Sequence, residues 1–343
     1  MLKAGKEIKI LFVYSALSSF VRRDLELLRR HFDVREMKVM TFLVPRKGRD
    51  PLVLLKLLRG VLWADIVYCW FADLNAFFLT LFSVIFRKKS LVVVGGYEVA
   101  YVPEMSYGSM LGRRSAFIVK CVLKFAHRIL AVSKFSQKEI LDYAMHEKVE
   151  LVFNGVDCET FRPCGENRND SVLMVGPISK EEIKIHGLDT FIEAAKFLPR
   201  VNFLAIGLSK DAVNFLSKSL PPNVTLMGII PQKDLIPYYQ KSKVYCQLSL
   251  RESFGVSLAE AMCCECVPVV TKNAGAMSEV VGKTGFFTRF GDPQNVAEMI
   301  MRALKSEQGK EARNRIVKYF SIRRREKALV NLIEKTVFHY EEE

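Results

Sequence analysis

Apolar runs short enough to be buried strands alternate with amphipathic helical segments along this chain of 343 residues, and the alternation occurs twice. The first series has strand-like runs at 8–14, 65–70, 90–94 and 128–132, with helical patterns at 74–87 and 112–127. The second has strand-like runs at 171–175, 202–206, 223–227, 243–246 and 267–270, with a helical pattern at 188–197. Strands that alternate with helices form parallel sheets covered by helices on both faces. The sequence therefore predicts an α/β protein with two doubly wound domains facing a cleft, whose ligands bind beyond the carboxyl ends of the strands.

A polar segment rich in Gly and Asn, residues 153–170, separates the two series and is interpreted as the interdomain linker. The predicted domains are accordingly residues 1–165 and 166–343. The tail beyond Glu298 has a helical pattern, and Asp292 followed by Pro293 marks the start of a helix. We expect the last helix to pack back towards the first domain.

The net charge of +14 is concentrated in the first half of the chain, where residues 1–150 hold 25 Lys and Arg against 14 Asp and Glu. This half should favour anionic partners such as phosphorylated substrates or anionic lipid headgroups. Zinc-finger spacing and RNA-binding aromatic motifs are absent, so no nucleic-acid partner is expected. Eight cysteines are too dilute for a disulfide framework, and no apolar run reaches the ~20 residues of a membrane span. We expect a cytoplasmic protein with free thiols.

The segment at 248–271 (LSLRESFGVSLAEAMCCECVPVVT) is the most informative about function. Glu252 precedes a turn, Ser253–Phe254–Gly255, that is predicted to open a helix, and Glu260 lies inside that helix. Eight helical steps would separate the two carboxylates by ~12 Å, the length of a sugar nucleotide from hexose to ribose. The amides at the helix start suit the diphosphate between them. Spacing alone is weak evidence, because two Glu residues on a helix are usually solvated.

The segment resembles the signature of retaining glycosyltransferases of the GT-B fold, specifically glycosyltransferase family 4 (glycosyl transferases group 1). The matching positions are Ser249, Glu252, Phe254, Gly255, Glu260, Ala261, Met262, Pro268, Val269 and Val270. The segments at 129–140, 153–163, 172–199, 223–245 (a Gly turn and a Tyr-bearing helix) and 273–287 resemble further motifs of the family in the family's order. The resemblance implies two Rossmann-like domains, the first binding the acceptor and the second the nucleotide sugar.

The resemblance also implies a hexosyltransferase (EC 2.4) that moves sugar from a nucleoside-diphosphate donor to a hydroxyl of a glycan or lipid-linked acceptor, with retention and without a metal or other cofactor. Glu252 would contact the transferred sugar and Glu260 the ribose. Further donor contacts would come from Gly176, Ser253, Phe254, Gly255, Asn273, Ala274, Gly275 and Ala276. We place the acceptor side at Ser18 and Ser19 and at the loop formed by Gly95, Gly96, Tyr97 and Glu98.

The sequence departs from the family in two places. Gly176 is followed by Pro177 where the family has Arg, and His186 precedes Gly187 where it has Lys. We expect Lys184 to take over the phosphate role, with Lys180 in reserve. The family often has a His near residues 95–98, and in our interpretation Tyr97 or Glu98 takes its place.

Two alternatives remain open at this point: a non-catalytic GT-B binding subunit, and a GT-B sugar-nucleotide epimerase. Cys263, Cys264 and Cys266 are interpreted as small core residues, and the run Arg323–Arg325 as a solvated helix face. The apolar-basic stretch 51–63 is either a core helix or an interfacial one, and we favour the core. With the charge of residues 1–150 and the cluster Arg87–Lys89, it suggests peripheral docking on an anionic membrane surface.

Overall fold

The computed structural model describes residues 7–39, 52–165 and 168–338. The chain forms two compact units, and each is built on a six-stranded sheet. The first unit comprises residues 1–153 together with 325–343, and the second is the continuous stretch 154–324. The predicted domain boundary between 165 and 166 falls beside residues 166 and 167, which lie outside the described part.

The strands of the first unit are β1 (Lys9–Tyr14), β2 (Asp33–Lys38), β3 (Ile66–Trp70), β4 (Lys89–Val94), β5 (Arg128–Ala131) and β6 (Val149–Leu151). They form a parallel sheet in the order β2-β1-β3-β4-β5-β6. The helices are α1 (Ser19–Arg29), α2 (Val53–Trp63), α3 (Leu74–Ile85), α4 (Arg113–Phe125) and α5 (Lys134–Leu141). Single 3₁₀ turns occur at Pro103–Met105, Ser109–Leu111 and His146–Lys148.

The strands of the second unit are β7 (Asn169–Ile178), β8 (Asn202–Leu208), β9 (Val224–Gly228), β10 (Ser242–Gln247), β11 (Val267–Thr271) and β12 (Phe286–Thr288). They form a parallel sheet in the order β12-β11-β10-β7-β8-β9. The helices are α6 (Leu188–Lys196), α7 (Lys210–Leu216), α8 (Gln232–Lys241), α9 (Val256–Cys263), α10 (Met277–Val281), α11 (Pro293–Leu304) and α12 (Gly309–Tyr319), with 3₁₀ turns at Lys180–Glu182 and Ser217–Ser219. The last helix, α13 (Ile322–Phe338), begins in this unit and continues into the first.

The predicted fold class is confirmed: both units are parallel α/β sheets with helices between the strands. The helix start at Asp292 is also confirmed, since its side chain accepts a hydrogen bond from the Asn295 amide 2.9 Å away. The structure adds β2, β6 and β12, which the sequence analysis did not find. All three are edge strands. An edge strand has only one neighbouring strand and is less buried, so β2 (DVREMK) lacks the continuous apolar run by which the central strands are recognised. The predicted cleft stays a prediction.

A buried ion pair holds α13 in the first unit. Nε and Nη2 of Arg325 donate to the two oxygens of the Asp24 carboxylate, at 2.6 Å and 2.7 Å, and both side chains are almost fully buried. The Tyr68 hydroxyl (2.7 Å) and the Trp70 indole N–H (2.9 Å) donate to the same carboxylate. Arg325 also donates to the carbonyl oxygens of residues 152 and 153, where the chain leaves this unit. The prediction of a solvated face for Arg323–Arg325 is therefore wrong for Arg325, although Arg323 and Arg324 are exposed.

Helix α2 is less buried than its composition suggested. It buries Leu57 and Val61, whereas Leu54, Leu55 and Leu62 are exposed. The preference for a core helix is thus only partly right, because one narrow face packs inward and a second apolar face meets solvent. Among the described residues, no helix is long and apolar enough to span a membrane.

Candidate functional site

The strand order of the second unit indicates where a ligand is expected to bind, before any side chain is considered. β7 and β10 are neighbours in its sheet, with β8 and β9 on one side and β11 and β12 on the other. In open α/β sheets, ligands bind beyond the carboxyl ends of the strands at such a change of direction. The loops that follow β7, β10 and β11 are residues 179–187, 248–255 and 272–276, and they contain most of the predicted donor residues.

The loop after β10 turns sharply into α9. Gly255 has a φ of +82° at the N-cap, a conformation that favours glycine. Phe254 is buried and its ring lies 5.6 Å from that of Phe320, edge to face, which anchors the loop. The Ser253 amide donates to Oε1 of Glu252 at 3.1 Å. The predicted turn and helix are confirmed, but α9 begins only at Val256, so the eight steps between the carboxylates are not all helical and the ~12 Å separation does not follow.

Glu260 is a buried carboxylate whose partners come from α8. Its side chain is 2% exposed; the amide of Gln232 donates to one oxygen and the hydroxyl of Tyr239 to the other, at 3.3 Å. Burial and the charge of Glu260 raise the pKa of Tyr239 well above its usual value, so this phenol keeps its proton and donates. A buried carboxylate that is held by hydrogen-bond donors is suited to binding hydroxyl groups. The sequence analysis missed Gln232 and Tyr239, although the Tyr-bearing helix was part of the resemblance.

The turn after β11 packs directly on the backbone of Glu252. The Ala276 amide donates to the Glu252 carbonyl oxygen at 2.8 Å. Gly275 has a φ of +78°, and a Cβ at this position would overlap that same carbonyl. Asn273 also adopts a left-handed conformation, and Ala274 is buried. The structure therefore brings the predicted donor turn 273–276 and Glu252 together.

The loop after β7 packs against the loop after β10. The Leu250 amide donates to the Ile185 carbonyl at 2.8 Å, and Nδ1 of His186 lies 3.4 Å from the Ser249 hydroxyl. Gly187 has a φ of +69°, and a Cβ there would overlap the Leu248 carbonyl. The loop carrying His186 and Lys184 is thus fixed beside the segment that leads to Glu252, and Lys184 itself is exposed.

The other two predicted donor residues near β7, Lys180 and Gly176, make different contacts. The Lys180 ammonium lies 4.9 Å from the centre of the Phe215 ring on α7, a cation–π contact. Gly176 lies in an irregular part of β7, where Gly207 of β8 approaches so closely that a Cβ on Gly207 would overlap the Gly176 carbonyl. Gly176 therefore shapes the end of the strand.

A row of polar side chains supports the loop that carries Glu252. The Tyr245 hydroxyl lies 3.1 Å from both the Val175 carbonyl and Oε1 of Gln247. The Gln247 amide in turn donates to Ser249 at 3.1 Å and lies 3.5 Å from Oε2 of Glu252. The sequence analysis did not predict this row, because Tyr245 and Gln247 lie in a strand that reads simply as buried.

The predicted acceptor residues of the first unit lie at the carboxyl end of its sheet. Ser18 is the N-cap of α1, Ser19 is its first residue, and Tyr97 is 51% exposed with its ring edge to face against Tyr107. The buried Glu98 carboxylate accepts hydrogen bonds from three amides: Ala72 (3.2 Å), Gly95 (3.0 Å) and Gly96 (2.8 Å). Burial raises its pKa, and these amides oppose the shift. Glu98 thus joins the loops after β3 and β4.

In the described ranges, no group of three or more His, Cys, Asp or Glu side chains is placed to hold a metal ion. The first turn of α9 and the exposed Lys184 supply backbone N–H groups and a cation, the kinds of group to which anions bind.

Comparison with known proteins finds a family match within the second unit. Residues 163–321 match the family "Glycosyl transferases group 1". The capsular polysaccharide biosynthesis glycosyltransferase CapM of Staphylococcus aureus is 29% identical over 234 residues, which cover 59% of this chain and 60% of CapM. An uncharacterized 41.2 kDa protein in the cps region of Klebsiella pneumoniae is 27% identical over 239 residues, covering 64% and 63%. The chain thus matches about three fifths of the length of these relatives.

Solved structures extend the likeness to the whole fold. HepE of Anabaena in complex with UDP and glucose has a TM-score of 0.76 at 18% identity, over 96% of this chain and 100% of HepE. Sucrose-phosphate synthase of Thermosynechococcus elongatus has a TM-score of 0.77 at 14% identity, over 96% and 99%. The two six-stranded parallel units match the GT-B fold of these solved structures.

Proposed function

We propose, from the premise that residues 163–321 belong to the glycosyl transferases group 1, that this chain transfers a hexose from a nucleoside-diphosphate sugar to an acceptor hydroxyl. One observation carries the proposal: Glu252 and the buried Glu260 flank the start of α9, and the turn 273–276 packs on the Glu252 backbone. A solvated pair of surface carboxylates would need neither the Gln232 and Tyr239 donors nor this packing.

The proposed donor is bound from its two ends. Glu260 accepts hydrogen bonds from the ribose hydroxyls. This requires the Gln232 amide to share or release the Glu260 oxygen to which it donates. The first-turn amides of α9 and the exposed Lys184 face the diphosphate charge. HepE, which has the same fold, has been solved with UDP-glucose, so this is the first donor to test.

The proposed reaction retains the anomeric configuration. Glu252 hydrogen-bonds hydroxyls of the transferred sugar and holds it while positive charge develops at the anomeric carbon. The leaving diphosphate takes the proton of the attacking acceptor hydroxyl on the same face. Protein amides and Lys184 stabilise the leaving charge in this scheme, so we expect turnover to persist in excess EDTA.

The proposed acceptor is a glycan or a lipid-linked glycan reached at an anionic membrane surface. The support is the exposed apolar face of α2 together with Val84, Ile85 and Phe86 at the end of α3, which packs against α2. Exposed cations, Arg59 on α2 and Arg87 after α3, accompany this surface. Apolar side chains beside cations are typical of reversible interfacial binding.

The decisive experiment incubates the full chain with UDP, GDP and ADP sugars, first in a thermal-shift screen and then in a hydrolysis and transfer assay. We expect one nucleoside diphosphate to raise Tm and its sugar to be hydrolysed slowly without acceptor. The configuration of the released or transferred sugar, read by proton NMR at early times, should match that of the donor.

Other outcomes would contradict the proposal in distinguishable ways. Binding without hydrolysis or transfer to any acceptor would indicate a non-catalytic binding subunit. Interconversion of two sugar nucleotides would indicate an epimerase. A product with inverted anomeric configuration would contradict only the proposed retention and leave the transfer reaction standing.

A further inference from the structure

Two thiols far apart in the sequence meet inside the second unit. Sγ of Cys158 lies 2.6 Å from Sγ of Cys263, across 105 positions of sequence. Cys158 lies just after the chain enters this unit, and Cys263 is the last residue of α9, three positions beyond Glu260. Both are free cysteines. A disulfide needs a sulfur separation of about 2.05 Å, so a movement of roughly half an ångström would join them.

The surroundings favour oxidation of Cys158 first. The hydrogen bond with Cys263 lowers the pKa of Cys158, burial opposes this, and the guanidinium of Arg313 adds to the lowering. Arg313 also donates to the carbonyl oxygens of both cysteines, which holds the two backbone segments together. The pKa of Cys263, by contrast, is raised by burial. A thiolate is the nucleophile in thiol oxidation, so the two sulfurs have unequal roles.

Access to Cys158 comes through an exposed turn. The side chain is 7% exposed, and it lies in a turn in which Asp157 accepts hydrogen bonds from the amides of Glu159 and Thr160. Hydrogen bonds at the surface open locally at low cost, which would admit a molecule as small as a peroxide.

We propose that Cys158 and Cys263 form a reversible disulfide bond when the protein meets a peroxide. The Cys158 sulfur attacks one peroxide oxygen to give a sulfenic acid, and the released hydroxide takes up the thiol proton to leave as water. The Cys263 sulfur then attacks the sulfenic sulfur, and the displaced hydroxide leaves with the Cys263 proton as a second water. Two thiols give up two electrons and two protons, and one hydrogen peroxide is reduced to two waters.

The test treats the full chain with hydrogen peroxide, alkylates it under denaturing conditions, and maps the peptides without reduction. We expect two of the eight thiols to escape alkylation, a linked pair of peptides carrying Cys158 and Cys263, and a rise in Tm that dithiothreitol reverses. Cys158→Ser and Cys263→Ser should abolish the linked pair. The matched controls are the exposed Cys164→Ser and the buried Cys266→Ser, which should keep it.

Three results would overturn the proposal. The first is oxidation of Cys158 to sulfinic or sulfonic acid without a link, and the second is a link made by Cys164 instead. The third is full alkylation of Cys158 and Cys263 at a peroxide dose that oxidises Cys164. The linked peptide is sought in the wild-type protein, so the test remains decisive even if a Cys→Ser variant fails to fold. Loss of transferase activity is not a readout, so the two proposals fail independently.

Discussion

At the residue scale, Glu260 offers the most direct test of the proposed donor site. Glu260→Gln keeps the size of the side chain but removes the charge that the ribose hydroxyls and Gln232 would share. Hydrogen bonds to charged groups contribute about 1–3 kcal/mol, so we expect affinity for the nucleoside diphosphate to fall about 5- to 150-fold. Isothermal titration calorimetry would measure this, with the exposed Glu311→Gln on α12 as the control. Unchanged affinity would remove Glu260 from the site.

Glu252 should behave differently, because it is proposed to face the sugar. Glu252→Gln should lower kcat by at least tenfold while nucleoside-diphosphate affinity changes little. Its backbone carbonyl, which holds Ala276, is unaffected by the change. Equal losses in affinity and turnover would assign both carboxylates to nucleotide binding and contradict the division of roles.

His127 gives the first unit a pH dependence of its own. Burial, followed by the charges of Lys89, Arg128 and Lys148, lowers the pKa of this imidazole to about 4. The unfolded chain, with a His pKa near ~6.5, binds the proton first, so stability is lost as the pH falls from 6.5 towards 4. Screening of this half-buried group limits the loss to about 1 kcal/mol.

His127→Gln should therefore lose less Tm than wild type between pH 7 and pH 4.5, measured by calorimetry. The exposed His146→Gln should follow the wild-type curve. If Tm falls equally with pH in all three proteins, His127 is not the source of the pH dependence.

At the scale of elements, the surface shared by α2 and α3 predicts where the protein meets a membrane. Neutralising Arg59 and Arg87 to Gln should cut co-sedimentation with anionic vesicles, since each cation near such a surface contributes about 1 kcal/mol. Added salt should weaken the wild type likewise. Lys88 is left intact, because its ammonium donates to the Ala64 carbonyl at 2.7 Å at the end of α2.

The matched control neutralises two exposed cations of the second unit, Lys218 and Lys233, which should leave sedimentation unchanged. Equal binding to neutral and anionic vesicles, or an equal loss in the control, would refute docking through α2 and α3. The proposed transfer reaction would be unaffected by that result.

At the scale of the whole molecule, we expect the Asp24–Arg325 pair to control the free energy of unfolding of the first unit. Arg325→Met would leave a buried carboxylate without its cation, which typically costs 3–5 kcal/mol. Both tryptophans of the chain, Trp63 and Trp70, lie in this unit, so tryptophan fluorescence during urea unfolding reports on it specifically. The exposed Arg324→Met should shift unfolding by less than about 0.5 kcal/mol.

Combining Asp24→Asn with Arg325→Met should recover part of the loss, because no buried charge then remains. A double variant no more stable than Arg325→Met would show that the cost lies in lost packing of the arginine.

Local patterns predicted most of the secondary structure and the donor motif, because strand burial, helix periodicity and turn residues are encoded by neighbours in sequence. Contacts between distant positions were not predictable in this way. Arg325 lies in a run of three arginines that looks solvated, and its partner Asp24 is 301 positions away. Cys263 looked like core filling, and nothing near it in the sequence indicates Cys158. Gln232 shows no signal of its own, since only the fold brings α8 beside Glu260.

The discontinuity of the first unit has a consequence for synthesis. Asp24 leaves the ribosome early, whereas the arginine that neutralises it is made 301 residues later. At about 5–20 residues per second, the carboxylate waits for roughly 15–60 s. The second unit is continuous and can fold as soon as residue 324 has emerged. The unit translated first is therefore completed last, and during that interval its unfinished form is the species that chaperones and proteases encounter.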